Sequence, residues 1–156
     1  GRSYFLASMN EKANAIGLSN TFFQDPSGLS PANVSTARDL FTLAEHIYKN
    51  KNYLYDLTKI TRAESKTSSK KHVWENNDPI LKENFGTYYG GKHGYTPEAG
   101  KTFVGLFQLP IAEFEDRTIV VVLLNSSDLA SDTTRLVSYV AHNMYYGVPP
   151  ANIALR

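Results

Sequence analysis

Two segments rich in valine, leucine, isoleucine and phenylalanine, Lys101 to Leu109 and Arg117 to Asn125, constrain the fold of this chain more than any other feature. A turn around Pro110 to Asp116 separates them, and strand-forming runs broken by turn residues read as an antiparallel hairpin in a central sheet. Immediately upstream, Tyr89-Gly90-Gly91-Lys92-His93-Gly94-Tyr95-Thr96-Pro97-Glu98-Ala99-Gly100-Lys101 sets a lysine between glycines, ahead of strand-like residues. That arrangement is a device for holding a ligand carboxylate.

Helical periodicity lies on both sides of these strands. From Ser3 to Leu18, the residues Phe5, Leu6, Met9, Ala13 and Ile16 recur at helical spacing, with Gly17 near the end. Thr21 to Pro31 combines Pro, Gly, Asp and Ser, which forces turns, so an ordered loop packed by Phe22 and Phe23 is predicted. Thr36 then caps a second helix, Asp39 returns the hydrogen bond as in a capping box, and Leu40, Leu43, Ala44 and Ile47 supply its buried stripe. A short helical piece spans Tyr53 to Leu57, Thr58 to Arg62 has weak strand character, and Ala63 to Asn84 reads as strand ends and an exposed connection. The last helix is predicted from Ser131 to Tyr146, with Leu136, Val137, Val140, Ala141 and Met144 inward, stopping at Gly147 ahead of Pro149-Pro150. With no internal repeat and no second domain visible, residues 1–156 are read as one domain.

Composition removes several function classes. Sixteen basic residues against fifteen acidic leave a formal net charge of +1, so no global field recruits nucleic acid. The chain has no cysteine, which excludes a disulfide framework and a thiolate zinc site, and His46, His72, His93 and His142 show no metal-ligand spacing. No metal and no cofactor is assigned. The longest apolar run, Thr118 to Leu124, is far too short to span a bilayer, and the first residues lack the sections of a signal peptide.

Five blocks then occur in a telling order: Met9-Asn10-Glu11-Lys12-Ala13; Gly17-Leu18 with Thr21-Phe22-Phe23; Pro26-Ser27-Gly28-Leu29; Ser35-Thr36-Ala37-Arg38-Asp39-Leu40; and Lys92-His93-Gly94-Tyr95-Thr96 with Ala99-Gly100. In this order the chain resembles the low-molecular-mass serine D-alanyl-D-alanine carboxypeptidases, penicillin-binding proteins of peptidase family S11 related to class A β-lactamases. The likeness runs from about Phe5 to the helix carrying Arg135.

The resemblance implies an α/β (α+β) fold of the β-lactamase/transpeptidase type, an antiparallel sheet flanked by helices, present here as a fragment. The family builds its site from a Ser-x-x-Lys pair, a Ser-x-Asn loop and a Lys-Thr-Gly strand, and only the third has a counterpart in its expected place. Ser68-Ser69-Lys70-Lys71 fits the first pattern, yet it follows Met9-Asn10 where the family's pair precedes it. Ser8-Met9-Asn10 fits the second pattern inside a helix whose Met9 faces the core. No catalytic side chain is therefore assigned, and the chain reads as the carboxy-terminal part of a catalytic domain whose nucleophile lies elsewhere.

By the same resemblance, Lys92, His93, Gly94, Tyr95 and Thr96 form the substrate-binding strand. Lys92 and His93 hold the carboxylate of a terminal D-alanine, Gly94 lets an extended peptide approach the strand edge, and the backbone N–H of Tyr95 is an oxyanion-hole donor. His93 stands where the family has threonine. An imidazole can donate the same hydrogen bond but titrates near neutrality, so carboxylate binding is expected to strengthen at mildly acidic pH. Without the family pattern, Lys92 reads as an exposed strand residue and His93 as a surface histidine. Arg38, Asp39 and Arg135 read as structural, Asn77 as a turn residue, and Trp74 and the tyrosines as core and rim packing.

The implied activity is removal of the terminal D-alanine from peptidoglycan pentapeptides through an acyl-enzyme, outside the cytoplasmic membrane of a bacterium. Implied partners are peptidoglycan peptide stems, β-lactams in the complete enzyme, and the missing amino-terminal part of the same domain, or self-association in its place. A noncatalytic module that binds such peptides or a partner is the alternative. A β-lactamase-like hydrolase would need a deacylating glutamate, and Glu75, Glu83 and Glu98 are not in a setting that suggests one.

Overall fold

The computed structural model describes residues 1–66, 70–83, 85, 87–112 and 115–144. In chain order it contains α1 (Arg2–Ala15), α2 (Ala37–Asn50), α3 (Tyr53–Thr58), β1 (Arg62–Lys66), β2 (Lys71–Glu75), α4 (Pro79–Lys82), β3 (Tyr88–Thr96), β4 (Gly100–Ala112), β5 (Glu115–Ser126) and α5 (Leu129–Asn143). β3, β4 and β5 form an antiparallel sheet in that order, with β3 and β5 at its edges, and β1 pairs with β2 in a separate hairpin.

The sheet is covered on both faces because successive side chains of β4 point to opposite sides. Phe103, Phe107 and Leu109 join Ile80, Val121, Leu129 and Val137 in one buried cluster beneath α4 and α5. Leu106 joins Ala44 and Tyr55 in a second cluster beneath α2 and α3, with Val104 packed against it. Phe103 and Phe107 are 1% and 0% exposed, and truncating a buried phenylalanine to alanine costs about 3–5 kcal/mol.

The hairpin expected in the sheet is present and longer than its apolar content announced. Pro110 pairs with Asp116 and Ala112 with Glu115, with a register shift between Pro110 and Ala112. Proline cannot donate to the ladder, and an irregularity there accommodates it within a strand. Thr58 to Arg62 is corrected: Thr58 is the last residue of α3, its hydroxyl donating to the Tyr55 carbonyl at 2.7 Å, and the strand begins at Arg62. Trp74 is corrected too, since it is 55% exposed on β2 and stacked with His72. Ser68, Ser69 and Asn84 lie outside the described residues.

α5 begins earlier than expected because Asp128 caps it, accepting from the N–H groups of Ala130 and Ser131. Its inward line is Leu129, Thr133 and Val137, with Val140 half-buried, whereas Leu136 and Met144 are exposed. Thr133 sits fully buried on that line, so the stripe runs through a polar residue that apolar periodicity skips. The stop predicted at Gly147, with Tyr146 and Pro149-Pro150, lies outside the described residues.

α1 ends as its glycine dictates. The Leu18 N–H reaches the Ala13 carbonyl and the Gly17 N–H the Asn14 carbonyl, with Gly17 at φ +87, the pattern of a Schellman motif. Of its predicted stripe only Ala13 is buried, and Phe5 is 57% exposed. Phe5, Met9 and Ile16 instead line a groove of about 290 Å³ with Leu18, Phe23 and Leu43.

Candidate active site

The site is built on the outer edge of β3. At Gly91 an added Cβ would lie 2.4 Å from the Val104 carbonyl oxygen and 2.7 Å from the Gly105 Cα. Both are backbone atoms that cannot retreat, so only glycine fits. The Gly91 N–H donates to the Thr58 hydroxyl at 3.0 Å on the side of the strand away from β4. From Gly90 to Thr96 the pairing with β4 runs without a register shift, so the period of two carries that direction forward. The N–H and C=O groups of His93 and Tyr95 therefore face the open edge. The Gly94 carbonyl faces β4 and accepts from the Thr102 hydroxyl at 3.3 Å.

Lys92 and His93, being consecutive, leave the strand on opposite faces. Lys92 lies opposite Val104 and shares the α2 face of the sheet, while His93 lies opposite Phe103 on the other. The Lys92 ammonium comes round to the edge and donates to the His93 carbonyl. Gly94 is spacious by comparison with Gly91, because an added Cβ there would meet only the Thr102 hydroxyl, at 3.2 Å. The Tyr95 side chain is exposed, and the Thr96 hydroxyl accepts the Ala99 N–H at 3.2 Å, which ties the β3–β4 turn.

These residues border a cleft of about 790 Å³. Lys92, His93, Gly94 and Thr96 line it from β3, and Leu43 and Ile47 of α2 belong to its apolar lining. The stripe predicted on α2 thus lies along the cleft, with only Ala44 fully buried.

The remaining wall is a loop held by polar hubs. Asp25 accepts from the Ser27 hydroxyl, the Gly28 and Leu29 N–H groups and the Asn33 amide. Those bonds hold its carboxyl far below the usual carboxylate range, the Ser27 hydroxyl acting most strongly. Asn10 of α1 clips the loop at Phe23, donating to its carbonyl and accepting its N–H, each at 2.8 Å. Phe22 is half exposed, so these polar clips, more than two phenylalanines, order the segment. Thr36 caps α2 by accepting the Asp39 N–H at 3.2 Å. The second half of the predicted capping box is replaced: the buried Asp39 carboxylate accepts from the Asn20 N–H at 2.8 Å and the Thr21 hydroxyl at 2.7 Å, fastening the loop to the helix.

Asp78 was not among the residues the sequence singled out, and it sits behind His93. It is 3% exposed and caps α4, Oδ1 accepting the Ile80 N–H at 2.9 Å and Oδ2 accepting the Tyr88 hydroxyl at 2.8 Å. Its Oδ1 lies 3.9 Å from His93 Nδ1. Burial, and then the Lys92 charge, lower the His93 pKa below 6.5, with Asp78 opposing. Burial first, then the bond to Asp78, push the Tyr88 hydroxyl far above its ordinary range. The signal available was Asp78-Pro79, a capping residue followed by proline at the first helical position.

Other sequence candidates fall away from the cleft. Lys71 lies on the β1–β2 hairpin, where its ammonium pairs with Glu64 at 3.0 Å. Arg135 lies on α5, 3.9 Å from Asp132. Among the described residues no cluster of three or more His, Asp or Glu could hold a metal ion, and no helix is long and apolar enough to cross a membrane.

Comparisons with known proteins agree on the family, while the activities named for its relatives differ. The profile of the D-alanyl-D-alanine carboxypeptidase family, peptidase S11, matches residues 1–127. A D-alanyl-D-alanine endopeptidase of Pseudomonas aeruginosa is 29% identical over 161 residues, covering 100% of this chain and 50% of the relative. A penicillin-binding protein homologue from Mycobacterium tuberculosis superposes with a TM-score of 0.75 at 25% identity, over 92% of this chain and 56% of that one. Penicillin-binding protein D2 of Listeria monocytogenes, solved in its cefotaxime-bound form, superposes with a TM-score of 0.69 at 26% identity, over 89% and 55%. The chain thus spans about half the length of the curated relative and of both solved structures.

Proposed function

Because this chain belongs to the D-alanyl-D-alanine carboxypeptidase family, peptidase S11, we propose that it is the carboxy-terminal part of a serine peptidase domain that removes the terminal D-alanine from peptidoglycan pentapeptides. The observation that carries the reading is the free edge of β3 beyond Gly91, which presents Lys92 and His93 at the rim of an apolar cleft. A substrate peptide adds to that edge as a further strand, paired through the outward N–H and C=O groups of His93 and Tyr95. The Gly94 position keeps the approach open, and Lys92 with His93 holds the terminal carboxylate.

The remainder of the domain supplies the serine and its lysine. The serine oxygen attacks the penultimate D-alanine carbonyl, the lysine carries its proton to the leaving amine, and D-alanine departs, leaving an acyl-enzyme that water hydrolyses. The Tyr95 N–H stabilises the oxyanion, a contact whose loss typically costs about 10²–10³ in turnover. The Leu43 and Ile47 wall of the cleft receives the missing amino-terminal part, and a self-associating copy covers it when that part is absent. β-Lactams acylate the same serine, and the site works outside the cytoplasmic membrane, where pentapeptide stems are found.

The test is D-alanine release by the complete protein from an N-acyl-D-alanyl-D-alanine peptide. Release that falls strongly when Lys92 is replaced supports the reading. A complete, folded protein that releases no D-alanine overturns it.

A further inference from the structure

His93 presents a protonation problem that the cleft must solve. A neutral imidazole carries one N–H, and a carboxylate facing one nitrogen draws the hydrogen to that side. Asp78 Oδ1 faces Nδ1 of His93 at 3.9 Å. Asp78 cannot swing away, since its side chain is 4% exposed and both oxygens are engaged, one by the Ile80 N–H and the other by the Tyr88 hydroxyl. In the tautomer whose hydrogen lies toward Asp78, the neutral ring offers Nε2 as a bare acceptor. A bare acceptor repels a carboxylate.

We propose that Asp78 and His93 form a proton-linked clamp: His93 takes up a proton as the terminal carboxylate of an acyl-D-alanyl-D-alanine ligand enters the cleft, and Asp78 holds the opposite side of the imidazolium. This inference rests on the carboxypeptidase reading above and names a positioning role for Asp78 within it. Protonation turns Nε2 into a donor, so the ring bridges two carboxylates, one resident and one arriving.

The surrounding charges agree with uptake on binding. Without ligand, burial and the Lys92 ammonium keep the ring neutral at neutral pH, and Asp78 alone favours the charged form. The Tyr88 hydroxyl is committed to Asp78, Thr102 and Phe103 on the paired strand carry no charge, and the Lys101 ammonium is committed to the Ser127 carbonyl. Glu98 is the carboxylate that lines the cleft itself, whereas Asp78 is buried behind His93. A bound ligand carboxylate supplies a second negative neighbour and raises the pKa above its free value. Binding is then strongest below the free pKa and weakens as pH rises through the bound pKa. Between the two values, each ligand bound brings up to one proton with it.

Titration calorimetry on the complete protein, with its nucleophilic serine replaced by alanine, reads this directly. Binding heats are measured at about pH 7 in buffers of differing ionisation heat, for an N-acyl-D-alanyl-D-alanine peptide and for its carboxamide. Measurable proton uptake is expected for the acid and none for the amide. His93→Thr should bind the acid without uptake. Asp78→Asn, which keeps the oxygen that caps Ile80, should lose most of the uptake and bind about 10-fold more weakly, the equivalent of one pK unit. Binding of the acid without uptake, or uptake that survives His93→Thr, overturns the clamp while leaving the carboxypeptidase reading intact. If the acid does not bind and the unmodified protein releases no D-alanine, both fail together. Should Asp78→Asn not fold, His93→Thr decides alone.

Discussion

The Gly91 amide donates to the Thr58 hydroxyl at 3.0 Å. This one bond marks where the outer edge of β3 is closed and where it opens. Thr58 can serve because it ends α3 and its hydroxyl also donates to the Tyr55 carbonyl, so the helix terminus is clipped to the sheet at a defined point. Past that point the next outward groups belong to His93 and Tyr95, along the cleft that Thr58 and Gly91 also line.

The two glycines flanking Lys92 and His93 should respond differently to alanine. Gly91→Ala drives a Cβ into the backbone of β4 and should destabilise by about 3 kcal/mol or more, by analogy with overpacked cores. Gly94→Ala meets only a rotatable hydroxyl. Its melting temperature should move little, while kcat/KM for an acyl-D-alanyl-D-alanine peptide falls at least about 10-fold through blocked approach. Thermal unfolding beside D-alanine release separates the two.

Lys92 is exposed, and its only hydrogen bond among those described is to the neighbouring His93 carbonyl. Lys92→Ala should leave stability almost unchanged. It should lower kcat/KM on a peptide acid by about 10–100-fold, the range for losing a hydrogen bond to a charged group, and spare whatever slow turnover a carboxamide shows. Equal losses on acid and amide would remove Lys92 from carboxylate recognition.

Asp39 makes the loop–helix junction acid-sensitive. Its carboxyl pKa is lowered from 3.8 chiefly by the Thr21 hydroxyl, with the Asn20 N–H adding to it and burial opposing. A carboxylate depressed in the folded state contributes stability that is present above its unfolded pKa and lost as pH falls toward the folded one. Unfolding midpoints should therefore drop as pH falls below about 4, and Asp39→Asn should flatten that part of the curve while lowering stability at neutral pH. Asp25, held lower still by its own hydrogen bonds, keeps part of the slope, so an acid slope in Asp39→Asn as steep as the wild type's would contradict this.

The 156-residue chain on its own leaves Phe5 exposed and Leu43 and Ile47 half-buried along the cleft. Apolar surface of that kind drives association. Sedimentation of this chain alone should show self-association, relieved when the missing part of the domain is supplied. A strictly monomeric, non-aggregating species would contradict the prediction.

Much of the fold was legible because it is written in local pattern. Thr36, Gly17 and the two apolar strands each announce a cap, a stop and a hairpin through residues adjacent in sequence. What was not legible depended on distant partners. The stripe of α1 is apolar, but whether it is buried depends on what covers it. Thr133 is polar by type and fully buried by position. Asp39 had a plausible local partner in a capping box, and the tertiary contact with Asn20 and Thr21 prevailed. In the candidate site, Lys92 to Thr96 could be named from the glycine-flanked lysine and the resemblance it carried. Asp78 could not, because its relation to His93 spans the connection through α4 to the sheet edge and shows only when β3 is in place.

The most direct measurement is intact mass spectrometry of the complete protein after incubation with a penicillin, for wild type and Lys92→Ala in parallel. The account predicts a mass increase of one penicillin per molecule, formed at least about 10-fold more slowly in the variant with no matching loss of thermal stability. An unmodified wild-type mass, or identical acylation rates in the two proteins, would contradict the assignment of the Lys92 edge as the carboxylate-binding wall of a serine peptidase.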